Sequence, residues 1–134
     1  MVQTSVQQYQ RILVKFFRYI DGADYDWDHS FTAVQLNSVT DLDVVRYMNV
    51  LAFGRPDPEP DANPTGARSS TIAYVKKAIS YFIPNNHMQW NEQSKVGNPT
   101  RSKAVNQLLL YILRKEVRRQ GRPSKARRPM TAEV

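Results

Sequence analysis

Apolar residues recur along this 134-residue chain at steps of three and four, the spacing of one face of an α-helix. Four segments show the pattern over a length that predicts a helix: 6–21, 40–53, 69 or 70 to 82, and 98–120. Gly22, Gly54 and Gly121 are the expected helix ends. No strand pattern of useful length is present, so the sequence predicts an all-α bundle of four helices with long connecting loops.

Each predicted helix has one apolar face that we expect in the core. In chain order these faces are formed by Val6, Tyr9, Ile12, Leu13, Phe16, Phe17 and Ile20; by Leu42, Val45, Met48, Leu51 and Ala52; by Ile72, Val75, Ile79 and Phe82; and by Ala104, Val105, Leu108, Leu109, Ile112 and Leu113. We also expect Trp27 or Phe31 to point inward from the first loop, and Trp90 from the last.

The net charge of +7 is divided unevenly between the two halves of the chain. Residues 1–63 contain five basic and nine acidic residues, whereas residues 64–134 contain fourteen basic and three acidic ones. A surface that serves solubility alone usually mixes its signs, so the second half favours a polyanionic partner, most commonly nucleic acid. A basic surface that only keeps the protein soluble is the alternative.

The sequence lacks the motifs of common enzyme and metal sites. His29 and His87 lie in predicted loops without a partner at a recognisable spacing, and the chain has no cysteine. The carboxylates of DYDWD lack the regular spacing and central glycine of a calcium loop. We therefore expect no catalytic site, metal, cofactor or small-molecule substrate. No apolar run of about 18 residues is present, so we also expect no membrane span.

The fourth predicted helix has a basic face opposite its apolar one. At about 100° per residue, Lys103, Gln107, Arg114 and Arg118 fall within about 60° of one another. Such a helix fits the major groove of double-stranded DNA, where base edges offer acceptors to Arg and Gln. A solvated outer face is the alternative, but a stripe of Lys and Arg with almost no Glu favours DNA.

The starts of the last two predicted helices combine hydroxyl and basic side chains. Thr100, Arg101, Ser102 and Lys103 surround the start of the fourth helix, where the helix dipole disfavours positive charge by roughly 0.3–1 kcal/mol per residue. A phosphate bound at the exposed amides would offset this cost. The corresponding polar residues of the third helix are Arg68, Ser69, Ser70, Thr71, Tyr74 and Lys77. Simple helix capping by the hydroxyls is the alternative.

The C-terminal segment is the most basic part of the chain, since eight of the fifteen residues from Arg114 to Arg128 are Lys or Arg. We divide it into the end of the fourth helix, through Gln120, and an extended segment, GRPSKARR, suited to following a phosphate backbone. The GRP triplet also resembles an AT-hook, but Gln120 stands where that motif has arginine.

Several short blocks occur in the order found in one family of DNA-binding domains. They are GARSSTIAYVKKAISYFIPN, the pair Trp90 and Asn91, GNPTRSKAVNQLL, and KEVRRQGRPSKARRPMT. From about Thr40 to Thr131 the chain resembles the N-terminal core-binding domain of tyrosine recombinases, the phage-integrase class. The resemblance is strongest to recombinases of eukaryotic Crypton-type and DIRS-type mobile elements.

The resemblance implies a four-helix, SAM-like bundle that clamps one side of a recombination site, with its third and fourth helices facing the DNA. It implies a DNA-binding domain at 1–120 and, at 121–134, a basic linker and the start of a separate catalytic domain that holds the family's Arg, His and Tyr. Expected partners are double-stranded DNA and neighbouring protomers, in the nucleus or another DNA-containing compartment. The acidic N-terminal half departs from this pattern. Its expected role is to support the packing of the bundle or to form a surface for a neighbouring protomer.

The predicted DNA contacts are Arg68, Ser70, Thr71, Tyr74, Lys77, Thr100, Arg101, Lys103, Gln107, Arg114, Arg118, Arg119, Arg122, Lys125, Arg127 and Arg128. Two other functions stay open. One is a stand-alone DNA-binding or chromatin adaptor domesticated from a mobile element. The other is a helical protein-interaction module with an acidic partner.

Overall fold

The computed structural model describes residues 5–127, with side chains described through Val117. Its elements follow one another as α1 (Ser5–Asp21), α2 (Ala33–Asn37), α3 (Asp41–Phe53), α4 (Ser69–Phe82), a 3₁₀ turn (Pro99–Arg101) and α5 (Lys103–Arg127). Apart from an isolated β-bridge between Asn91 and Val96, this part of the chain contains no strand. The predicted all-α fold class is confirmed.

The first helix, α1, forms where the periodicity predicts it and packs its apolar face into the core. Gly22 follows it with a left-handed φ of +65°, and the Gly22 amide donates to the carbonyl of Arg18 at 2.9 Å. The expectation for Val6 is wrong, since this side chain is 46% exposed. Further along α1, Gln8 and Tyr9 contact Tyr74 of α4.

The loop after α1 folds back onto that helix. Phe31 is its inward residue, and its ring stacks on Phe17 with centroids 4.2 Å apart. Trp27 is 43% exposed, and the guanidinium of Arg18 lies 4.1 Å from the centroid of its ring. Thr32 then caps α2, a helix that the periodicity missed because five residues are too few to show a repeat.

Thr40 caps α3, and the buried face of this helix is rotated from the predicted one. The Thr40 hydroxyl accepts from the Asp43 amide at 3.2 Å, and the Asp43 carboxylate accepts from the Thr40 amide at 3.1 Å. Val44 and Tyr47 are buried, whereas Leu42 is 53% exposed. Leu42 lies about 160° around the helix from Val44, so the two side chains face opposite ways.

The central helix is α4, which contacts α1, α3 and α5. Ile72, Ala78 and Ile79 on its inner side are fully buried. The three helices do not cover α4 completely. Ala73 and Lys77 are exposed on the part of its surface that remains open beside α5.

The connection from α4 to α5 is held by Trp90, which is 8% exposed and so points inward as expected. The 3₁₀ turn comes next, and α-helical backbone begins only at Lys103, about one turn later than the predicted start. Ser102 takes the capping position, where its hydroxyl accepts from the amide of Val105 at 3.1 Å.

The last helix, α5, continues to Arg127, so the prediction that Gly121 ends it is wrong. A glycine inside a helix costs only about 1 kcal/mol relative to Ala, and the Arg, Gln, Lys and Ala residues around it favour helix. The backbone stays helical across Pro123, although proline lacks the amide donor. The GRPSKARR segment is therefore helical over its described part, which the prediction of an extended segment missed. Residues 128–134, which include the predicted start of a catalytic domain, lie outside the described residues.

None of the described helices combines the length and the apolar character needed to cross a lipid bilayer.

Candidate nucleic-acid interface

Basic side chains meet where α4, the 3₁₀ turn and α5 pack together. The 3₁₀ turn contacts both helices. Lys77 and Arg101 line one cavity between them, and Lys103, Gln107 and Arg114 lie exposed along α5. The name α4–α5 surface is used below for Lys76, Lys77, Arg101, Lys103, Gln107 and Arg114. Five of the predicted contacts thus lie on two helices and a turn that pack against one another.

Four further predicted contacts belong to the first turns of α4. Arg68, Ser70 and Thr71 are exposed there. Tyr74 is directed towards α1 instead of α5, since its hydroxyl donates to Oε1 of Gln8 at 2.8 Å. Tyr74 therefore lies apart from the α4–α5 surface, although it is 39% exposed.

The basic end of α5 carries the remaining predicted contacts. Their backbone is helical from residue 118 to residue 127. The side chains of Arg118, Arg119, Arg122, Lys125 and Arg127 fall outside the described ones, as does Arg128 altogether. Their contacts with DNA stay predictions.

The start of α4 is already occupied by a carboxylate of the chain itself. Glu116 of α5 accepts from the Ser69 amide at 2.8 Å and from the Ser69 hydroxyl at 2.8 Å. The hydrogen bond from the Ser69 amide holds the pKa of Glu116 below its ordinary value, with further help from the hydroxyl of Ser69 and the charge of Arg68. The prediction of a phosphate at this helix start is therefore wrong, because Glu116 fills that place.

The prediction that Thr100 contacts DNA is also wrong, and so is the prediction that Ser102 lies beside a bound phosphate. Both side chains are 1% exposed. The hydroxyl of Thr100 donates to Oδ1 of Asn98 at 2.8 Å, and Ser102 caps α5. The hydroxyl groups at this turn hold the backbone and do not face solvent.

Beneath the turn lies Asn98, a fully buried amide that joins three segments. Its Nδ2 donates to Oγ of Ser80 and to the carbonyl of Asn86, each at 2.8 Å. Its Oδ1 accepts from the amide of Thr100 at 3.1 Å as well as from the hydroxyl of Thr100. This network fixes the end of α4, the following loop and the 3₁₀ turn relative to one another.

Lys76 is a cation of this surface that the periodicity did not identify. It lies on the side of α4 nearer the core, but its ammonium reaches Oδ1 of Asn106 on α5 at 2.7 Å. Lys76, Lys77 and Arg101 line an open cavity of about 360 Å³, and none of its lining residues is acidic. Burial lowers the pKa of Lys76, and the nearby charge of Arg101 lowers it further.

The other flank of α5 has the opposite sign. A cavity of about 340 Å³ lies between α5, α3 and the loop 54–68, and Asp57 and Glu59 line it. The hydroxyl of Tyr111 donates to the carbonyl of Ala62 at 2.8 Å, which holds this acidic loop against α5. The two cavities that flank α5 therefore differ in charge, with basic residues on the α4 side and acidic residues on the α3 side.

An apolar stripe on α5 lies beside the basic residues. Leu110, Leu113 and Val117 are 43%, 42% and 58% exposed. Their spacing of three and four residues places them on one face of the helix. Leu113 was expected in the core and is therefore misassigned.

The described residues contain no group of three or more His, Asp or Glu side chains placed to hold a metal ion. The ring of His29 packs against Tyr25 and Phe31, with centroids 4.6 Å away in each case. A scan of protein-family models and searches of curated proteins and of solved structures found no match to this chain.

Proposed function

We propose that this chain is a DNA-binding module of a tyrosine site-specific recombinase and that it binds double-stranded DNA through the α4–α5 surface. One observation supports the DNA part most strongly. Five cations lie on this surface, Lys76, Lys77, Arg101, Lys103 and Arg114, and within the described part of the chain no ion pair neutralises any of them. Lys and Arg side chains in this arrangement release counterions from a phosphate backbone, the main source of DNA affinity.

The dimensions of α5 suit the major groove. At about 1.5 Å per residue, Lys103 and Arg114 are about 16 Å apart along the helix axis. The groove is about 12 Å wide. A helix lying across the groove therefore brings these two cations to phosphates on opposite sides, while Gln107 between them faces the base edges. The cations position the protein, and Gln107 contributes to sequence readout.

The recombinase part of the proposal rests on the resemblance described for the sequence blocks. In that family the strand-cleaving residues belong to a separate catalytic domain, so the module proposed here binds its site without cutting it. A stand-alone adaptor derived from such an element would use the same surface. Either form would act where DNA is present, in the nucleus or a similar compartment.

A second candidate function, protein interaction, is favoured by the apolar stripe of Leu110, Leu113 and Val117. An amphipathic acidic helix could cover these residues and face the neighbouring cations at the same time. Binding of that kind depends on apolar burial as well as charge, so it would respond to Leu110→Ser and Leu113→Ser. DNA affinity depends on the cations and would change little.

The proposed function is tested by charge reversal on α5. We expect Lys103→Glu with Arg114→Glu to weaken binding to a mixed-sequence duplex by about tenfold or more, because two phosphate contacts are lost. Fluorescence anisotropy of a labelled duplex measures the affinity, and far-ultraviolet circular dichroism verifies that the helices remain.

The matched control is Arg11→Glu with Lys15→Glu, two exposed positions on α1. It changes the net charge equally but away from α5. Equal loss of affinity in both double variants would show that only net charge matters. Unchanged affinity in the α5 variant would remove this face from the proposed interface.

A further inference from the structure

The cavity between α4, the 3₁₀ turn and α5 has the composition of an anion site. Its volume is about 360 Å³, at the small end of the roughly 300–1,000 Å³ range of sites for small ligands. Lys76, Lys77 and Arg101 supply its charge, while Ser80 and Asn86 add polar atoms. No acidic residue lines the cavity, so the charged side chains of its lining are all basic.

Hydrogen bonds to the protein orient Lys76 and Arg101, and each side chain keeps further N–H donors that a ligand can use. The ammonium of Lys76 uses one of its three protons on Oδ1 of Asn106, at 2.7 Å. Arg101 donates through Nη1 to the carbonyl of His87 at 3.0 Å, which leaves other guanidinium protons for an anion. Each side chain is thus held by the protein and remains able to bind.

Lys76 and Arg101 place two like charges beside the same cavity. The charge of Arg101 lowers the pKa of Lys76, in addition to the effect of burial. A like charge close to a partly buried ammonium disfavours the charged form of that ammonium. An anion between them would remove this cost.

The wall of the cavity is fixed before any ligand arrives. Asn98 bonds to Ser80 and Asn86, which line the cavity, and to Thr100, which also lines it. Because Ser80 Oγ accepts the bond from Asn98, its own proton can be donated to a ligand. A preformed set of donors binds without the cost of ordering them.

We infer that this cavity binds one phosphate group, held by Lys76, Lys77 and Arg101 with the hydroxyl of Ser80. The ligand class is a phosphate oxyanion, which either a DNA strand or a free phosphorylated small molecule could supply. If the phosphate belongs to a DNA strand, the inference rests on the proposed function, in which DNA lies along α5 and so passes the cavity beside the start of that helix. The site itself does not depend on that function.

The first test uses inorganic phosphate as the probe. Amide resonances of isotope-labelled protein are followed while chloride is replaced by phosphate at constant ionic strength. We expect saturable shifts at Lys76, Lys77 and Arg101. In Lys76→Gln and in Arg101→Gln the affinity should fall about tenfold each, as expected when a charge-assisted hydrogen bond is lost. The control, Lys15→Gln on α1, should bind phosphate like the parent protein, and thermal melting verifies that each variant is folded.

The second test measures duplex affinity of the same variants. Parallel weakening of phosphate and duplex binding in Lys76→Gln and Arg101→Gln would support the site with a strand phosphate as its ligand. Weakened phosphate binding with unchanged duplex binding would support the site with a free phosphate. Absence of saturable shifts in the parent, or shifts that persist in both variants, would overturn the inference. If the parent bound phosphate but no duplex, the proposed function would fail while the site stood.

Discussion

The carboxylate of Glu116 joins the last helix to the start of α4, and neutralising it gives a sharp prediction. Two hydrogen bonds of 2.8 Å reach it, from the amide and the hydroxyl of Ser69. In Glu116→Gln the side chain keeps its size and can still bond to Ser69, but its charge is gone. The variant therefore isolates the electrostatic part of the contact.

The expected loss follows from the two bonds. Hydrogen bonds to charged groups contribute about 1.5–3 kcal/mol and neutral ones about 0.5–1.5 kcal/mol. Because Glu116 is partly exposed to solvent, we expect only about 1–1.5 kcal/mol in total. With about 2.1 cal/mol/K of unfolding entropy per residue, this corresponds to a melting temperature lower by about 4–5 °C.

The pH dependence fixes the sign of the effect. The pKa of Glu116 lies below its ordinary value of 4.5 in the folded protein, first because of the Ser69 amide. Its stabilising contribution is therefore present above the ordinary pKa and is lost as pH falls through the folded-state pKa. Once the pH has fallen through that pKa, Glu116 is protonated in the parent protein, so its difference from the variant should shrink.

Thermal denaturation followed by circular dichroism, at a series of pH values from neutral into the acid range, measures both effects. Glu92→Gln serves as the control, because it removes the same charge from an exposed loop position. A difference between Glu116→Gln and the parent that stays equally large throughout the acid range would refute an electrostatic cap. So would equal destabilisation by Glu92→Gln.

Three further predictions concern the turn before α5 and the acidic loop on the α3 side of that helix. Asn98→Ala should lower the free energy of unfolding by about 2–4 kcal/mol in a denaturant titration, because several buried hydrogen bonds lose their partner; a loss below about 1 kcal/mol would contradict the role of Asn98. Gly97→Ala should cost about 2–3 kcal/mol in the same titration, since Gly97 has φ +110° and an added Cβ would lie 2.3 Å from the carbonyl oxygen of Gln89; a variant as stable as the parent would show that the loop shifts freely. Asp57→Asn with Glu59→Gln should raise duplex affinity at low salt by about twofold per removed charge, the effect expected of a charge about 10 Å from a phosphate. Lower affinity of this variant, measured by fluorescence anisotropy, would contradict the repulsion expected on that flank of α5.

Much of the fold is predictable from the sequence because it depends on local signals. The ends of α1, the cap at Thr40 and the span of α4 follow from periodicity and from capping chemistry. The rotation of α3 does not, since its pattern admits two neighbouring faces and tertiary contact selects the one with Val44. The continuation of α5 through Gly121 was missed because a helix end was inferred from glycine alone.

The candidate site was predictable only in part. The exposed residues of α5 follow from helix geometry within one segment. The pairing of Glu116 with Ser69 joins positions 47 residues apart, so no local sequence pattern predicts it. Lys76 is missed for a related reason. Its position on the helical wheel of α4 is near the core, and only the packing of α5 and of the 3₁₀ turn places Asn106 and Arg101 near it.

The salt dependence of duplex binding tests the proposed DNA function most directly. If the five cations of the α4–α5 surface each contact a phosphate, the logarithm of the association constant should fall against the logarithm of salt concentration with a slope of about −4 or steeper, at about −0.9 per contact. Lys103→Glu with Arg114→Glu should make that slope shallower by about two. A slope near zero in the parent protein, or the same slope in the parent and the variant, would contradict DNA binding through this surface.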